Sequence, residues 1–99
     1  MAGKQIIWSK RAATELYATL DFFNHRNGNN NYSLRLLKDI NDLINTLSVS
    51  EFIGRLTENK KTRVLVLKVY LIFYEIQDNQ IEILSFWDNR QNTLKRLEV

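Results

Sequence analysis

A chain of 99 residues forms one domain, spanning 1–99, because two halves would each be too small to bury a core. Its 44% hydrophobic and 11% aromatic residues argue against a disordered chain, and the absence of cysteine excludes a disulfide framework or a thiolate metal site. A net charge of +3, from 14 basic and 11 acidic residues, permits contact with RNA, DNA or an acidic protein and selects none of them. No apolar run approaches the roughly 18 residues that a membrane span needs, and no signal-peptide core is visible, so a cytoplasmic protein is expected.

Ile6-Ile7-Trp8 is a short β-prone run, and Ser9 is suited to cap a following helix. From Ala12 the apolar residues Ala13, Leu16, Tyr17, Leu20 and Phe23 recur three or four apart, which predicts a helix of about three turns. Asn24 to Asn31, broken by Gly28, disfavours helix and predicts a loop. A second amphipathic helix runs from about Tyr32 to Leu47 on Leu36, Leu37, Ile40, Leu43, Ile44 and Leu47. The two make an antiparallel helix hairpin with one apolar stripe per helix, which needs a sheet to lie on.

Gly54 and the polar Thr57 to Lys61 interrupt the pattern before an apolar stretch from Thr62 to Ile76. Fifteen residues exceed the usual strand of about 5–6, so a hairpin turning near Lys68-Val69 is expected, with one bent strand as the alternative. Neither turn residue is a normal turn former. Asp78-Asn79-Gln80 turns into a last strand, Ile81 to Phe86, and Gln91 to Val99 could form a short helix. The expected fold is therefore α+β: an N-terminal strand, the helix hairpin, then a three-stranded antiparallel meander. The first strand joins the meander in one twisted sheet, which the helices cover on one face.

That order resembles the RelE/ParE toxins of type II toxin–antitoxin systems. The local matches are Ile6-Ile7-Trp8-Ser9 with Ala12-Ala13, Leu47 before the loop that contains Gly54, and Tyr70-Leu71-Ile72-Phe73-Tyr74 for the Tyr-x-Ile/Leu-x-Tyr strand. Arg90 follows the last strand, after Leu84-Ser85-Phe86-Trp87-Asp88-Asn89. The resemblance implies a toxin that is neutralised by a small cognate antitoxin and that acts either on ribosome-bound mRNA or on DNA gyrase. It implies no cofactor and no membrane partner. A catalytically degenerate member that only binds its antitoxin is the alternative.

Cleavage of the RelE type resembles that of a metal-independent ribonuclease, which needs a base, an acid and a cation on the phosphate. The resemblance makes Arg90, Arg63 and Lys68 the candidate catalytic residues. Leu71 stands where many RNA-cleaving members carry arginine, and leucine cannot bind phosphate, which argues against efficient cleavage. His25, the only histidine, falls in the asparagine-rich loop, and neither a metal-ligand cluster nor a Gly-rich phosphate loop is present. Alternation places Tyr70, Ile72, Tyr74 and Ile76 on one face of the strand and Leu71, Phe73 and Glu75 on the other. If the first set lies under the helices, Leu71 and Phe73 form an apolar patch on the open face, a candidate surface for the antitoxin.

Overall fold

The computed structural model describes residues 3–90. The order is β1 (Gln5–Trp8), α1 (Lys10–Asn27), α2 (Asn31–Val49), β2 (Arg55–Leu56), β3 (Thr62–Leu67), β4 (Tyr70–Ile76) and β5 (Gln80–Asp88). The strands form one sheet in the order β1-β5-β4-β3-β2. β1 lies parallel to β5, and the other pairings are antiparallel. The α+β class and the order of the main elements agree with expectation, whereas β2 is an additional strand of two residues. The expected C-terminal helix, Gln91 to Val99, lies outside the described residues.

Ser9 ends β1 and starts α1. Its Oγ accepts the Ala12 N–H at 3.0 Å and donates to the Leu84 carbonyl at 3.1 Å, so one side chain caps the helix and fastens it to β5. The helix continues through Asn24–Asn27, where a loop was expected. Gly28, at φ 69, closes the last turn by donating its N–H to the Asn24 carbonyl, and Asn24 Oδ1 accepts the Ser33 hydroxyl at 2.6 Å. A left-handed glycine just past the last turn is a strong stop signal, so helix can run up to it through poor helix formers. Only Gly28-Asn29-Asn30 separates the two helices.

The turn at Lys68-Val69 is real. Leu67 pairs with Tyr70, and Lys68 takes a positive φ of 57, the unusual backbone that its sequence made hard to foresee. Lys68 Nζ lies 3.1 Å from Asp39 Oδ2 of α2, which ties the turn to the helix pair.

The core lies between the helices and the sheet. Ala12, Leu16, Leu20, Leu36, Ile40 and Leu47 meet Tyr70, Ile72, Tyr74, Ile81, Ile83 and Phe86. The opposite face carries a second cluster, Val64, Leu71, Phe73 and Trp87. Phe86 and Trp87 owe their sides to one irregularity. Tyr74 pairs with Ile83 but Phe73 pairs with Ser85, so Leu84 is an extra residue, a β-bulge. Strict alternation from Ile81 and Ile83 would carry Trp87 to the helix side; the bulge instead turns Phe86 inward, stacked on Tyr70 at 4.9 Å between ring centroids.

Glu15 of α1 closes the strand edge beside the bulge. Its Oε1 accepts the Ser85 hydroxyl at 2.7 Å and the Phe86 N–H at 3.1 Å. β1 pairs no further along β5 than Ile83, so a helix side chain supplies the acceptor where the neighbouring strand has ended.

Candidate functional site

The Lys68-Val69 turn and the end of β5 meet at one end of the sheet, where the Asn89 N–H donates to the Val69 carbonyl at 2.8 Å. The tip of the helix hairpin reaches the same end, since the hydroxyls of Tyr32 and Tyr70 lie 2.9 Å apart. Burial and the bond to Tyr32 push the Tyr70 phenol well above its ordinary range, so it stays protonated. Phe23 packs against Tyr32 at 4.4 Å between centroids and forms a ridge with it.

One cleft lies on each side of this ridge. The first, about 420 Å³, is lined by Tyr32, Arg35, Lys38, Asp39 and Lys68. The second, about 570 Å³, opens between α1 and the end of β5. Phe22 and Ala18 from the helix face Phe86 and Trp87 from the strand, with Arg26 and Arg90 at one end.

Of the candidate cations, Lys68 and Arg90 therefore belong to this end of the molecule. Arg63 does not. It lies five positions before Lys68 along an extended strand, about 17 Å at 3.3 Å per position. There its Nη1 donates to the Gly54 carbonyl at 2.7 Å and its guanidinium sits 5.1 Å from the centre of the Phe52 ring, an arrangement that secures the loop before β3. Arg90 is also engaged. Its Nε and Nη2 donate to the two oxygens of Asp88 at 3.0 and 2.7 Å, and its backbone N–H adds a third bond at 2.9 Å. These hydrogen bonds hold the Asp88 carboxyl below the usual carboxylate range.

Leu71 and Phe73 differ from expectation. Alternation puts them opposite the helices, as read, but they are not an open patch: Leu71 is 8% exposed and Phe73 0%. They pack with Val64 and Trp87 as a second core. Alternation assigns a residue to a face and carries no information on whether that face is covered. His25 is helical, in the last turn of α1, with Nδ1 3.0 Å from the Asp21 carbonyl.

Sequence reasoning passed over Arg26, Arg35, Tyr32 and Glu15. Arg26 and Arg35 stand on the outer faces of their helices, where charge is ordinary, and only the fold brings them beside the end of the sheet. For Tyr32 a signal existed: an aromatic residue opening the second helix beside an Asn-rich turn. Among the described residues, no three His, Asp or Glu side chains converge as metal ligands, and no helix is long and apolar enough to cross a membrane.

Comparison with known proteins agrees with this architecture. The chain is similar to a chain of the chromosomal ParDE TA system from P. aeruginosa, with a TM-score of 0.71 and 23% identity, covering 84% of this chain and 92% of that one. A comparison with curated proteins gave no match. The family model of the ParE toxin of the type II toxin–antitoxin system parDE matches residues 6–93. With that match over nearly the whole chain, and with the same arrangement of helices and strands in a ParDE relative, this chain belongs to the ParE toxin family of type II toxin–antitoxin systems.

Proposed function

We infer that this ParE-type toxin arrests growth by binding DNA gyrase rather than by cutting RNA, and that a cognate antitoxin holds it inactive. The observation that carries the first part is the state of the candidate catalytic groups. Arg90 is bound through two nitrogens to Asp88, Lys68 is paired with Asp39, and the nearest hydroxyls, of Tyr32 and Tyr70, are bonded to each other. Cleavage through a 2′-hydroxyl needs a group that gives up its proton near neutrality. Tyr70 is held protonated, and Glu15 is occupied by Ser85 and Phe86. Leu71, where an arginine would bind phosphate in an RNA-cleaving relative, is buried in the second core. What the end of the sheet offers instead is two clefts rimmed by arginine and lysine, suited to a protein surface. Gyrase lies in the cytoplasm, and on this reading the toxin works there.

The test is inducible expression of the chain alone, followed by two assays on the purified protein. Growth arrest, loss of gyrase supercoiling and intact ribosome-bound mRNA are expected. Arg90→Ala should relieve part of the arrest by removing an exposed cation from the binding surface. Cleaved mRNA with untouched supercoiling would reverse the choice of target. Unimpaired growth at confirmed expression would favour the degenerate, antitoxin-binding form.

A further inference from the structure

A third cleft, about 380 Å³, opens at the end of the sheet away from Lys68. Leu56 pairs with Arg63 across β2 and β3, and both line it together with Phe52, Lys60 and Lys61. Arg63 shares its face of β3 with Leu65 and Leu67, which pack on the main core, so the cleft lies on the helix side of the sheet. Its volume is at the small end of ligand pockets, about 300–1,000 Å³. Phe52 is 68% exposed but held in place. The Arg63 guanidinium stands 5.1 Å from the centre of its ring, and the Gly54 carbonyl anchors Arg63 in turn. The ring is a fixed aromatic platform that the fold leaves in water.

The lysines stand on a turn with a rigid frame. Asn59 Oδ1 accepts the N–H groups of Lys61 and Thr62, both at 2.8 Å, and Asn59 Nδ2 donates to the Thr62 hydroxyl at 2.9 Å. Lys60 occupies the left-handed region at φ 61, where glycine would carry no strain. A lysine kept there at a cost in stability is the kind of outlier that accompanies function. Both lysines are exposed, and neither joins an ion pair among the described residues. Glu75, the carboxylate that borders the cleft, lies opposite Thr62 and shares its face of β4 with Phe73, so alternation turns its side chain to the far side of the sheet. Lys60, Lys61 and Arg63 therefore leave a row of positive charge beside the ring.

We propose that this cleft binds single-stranded nucleic acid, with one unpaired base laid on Phe52 and the neighbouring phosphates held by Lys60, Lys61 and Arg63. Every nucleotide carries a flat face next to an anion, the pairing that the cleft presents in reverse. A peptide would need its own aromatic and acidic residues in matching order, and a duplex offers phosphates while keeping its bases stacked inside. Phosphate and base face are common to DNA and RNA, and the side chains that form the row and the platform include no hydroxyl or amide to read a 2′-hydroxyl. The proposal is independent of the choice of gyrase as target, since it uses the other end of the molecule and requires no cleavage.

The experiment is fluorescence anisotropy of the full chain with labelled thymidine and uridine oligomers of about ten nucleotides, a duplex of the same length, and polyglutamate as competitor. Dissociation constants on the order of 10⁻⁶–10⁻⁴ M are expected for the single strands, with weaker binding of the duplex. Tighter binding of one oligomer names DNA or RNA as the source. All variants are checked for native circular dichroism. Phe52→Ala should weaken single-strand binding roughly five- to tenfold and leave the duplex unaffected, while Phe52→Tyr, which keeps a ring, should match wild type. Lys60→Gln combined with Lys61→Gln should lower the slope of log affinity against log salt by about 1.4, from roughly 0.7 per phosphate. Lys10→Glu, beside β1 at the opposite edge of the sheet, changes net charge equally and should weaken binding less than about twofold. Lys60→Gly separates folding from binding, because it should unfold later than wild type and yet bind more weakly. The proposal is overturned if neither single strand binds, if Phe52→Ala binds as wild type does, or if Lys10→Glu is as harmful as the double lysine variant. Displacement of the strand by polyglutamate at equal charge would overturn it too, since charge alone would then explain the binding.

Discussion

Glu15 offers a direct test of how the sheet edge is closed. Replacing it with alanine removes the acceptor of two donors at once, the Ser85 hydroxyl and the Phe86 N–H, and Ser85 is fully buried. A buried donor left without a partner costs on the order of 1–3 kcal/mol. Water entering from the neighbouring cleft recovers part of this, so the net loss should be about 2–4 kcal/mol. For a chain of this size that corresponds to a fall in Tm of at least roughly 8 °C. Glu15→Gln keeps a carbonyl oxygen in the same place and loses the charge together with the long, exposed pair to Arg11, so its cost should stay below about 1 kcal/mol. Urea denaturation of the three proteins, compared at equal slope, measures both numbers. The reasoning fails if Glu15→Ala falls within about 0.5 kcal/mol of wild type, a difference too small for two orphaned buried donors. It fails equally if glutamine is as harmful as alanine, because the charge and not the acceptor would then matter.

Three further outcomes follow from neighbouring features. Gly54→Ala would bring a Cβ to 2.6 Å from the Tyr74 ring and hydroxyl, which also accepts the Gly54 N–H; this variant should lose more stability than Tyr74→Phe, itself about 1–3 kcal/mol in thermal unfolding. Lys60 has a φ of 61, so Lys60→Gly should gain up to about 1 kcal/mol, and any loss in the same assay would contradict the strain. Burial raises the Tyr70 phenol, so above pH 10 the unfolded chain gives up this proton while the folded chain keeps it. Stability should therefore fall as pH rises, by up to about 1.4 kcal/mol per pH unit from this residue, and Tyr70→Phe should flatten the decline in a pH series of unfolding midpoints.

Much of the fold is legible in the residues because period and punctuation agree there. The helix stripes on Leu16, Leu20, Leu36 and Ile40, the Ser9 cap and the alternation of Tyr70, Ile72 and Tyr74 all lie where the pattern puts them. Two features resist such reading, and a third, the turn near Lys68-Val69, is expected from strand length alone and against local preference. β2 is two residues long, too short to show a period, and exists because Arg55 and Leu56 find Val64 and Arg63 opposite them. The turn at Lys68 uses a backbone that its sequence disfavours, held by strong pairing on both sides. The bulge at Leu84 has no signature at all, since Ile81 to Trp87 is apolar enough to fit either register. That last omission governs the site: only with the bulge does Phe86 turn to the helix side and Trp87 to the other, with Glu15 beside the strand. Arg90 and Lys68 are expected there from their positions in the chain, while Arg26 comes beside this end only through the folded tip of the helix hairpin.

The parallel pairing of β1 with β5 also sets an order of assembly. Ser9 binds the Leu84 carbonyl across 75 residues, and Lys4 reaches the Gln77 carbonyl across 73. Long-range pairing of this kind forms late, after the local hairpins and helices. During synthesis the first strand must wait, unpaired, until β5 has been made. A chain whose first strand is placed by β5 cannot reach its finished form until that distant strand has been made.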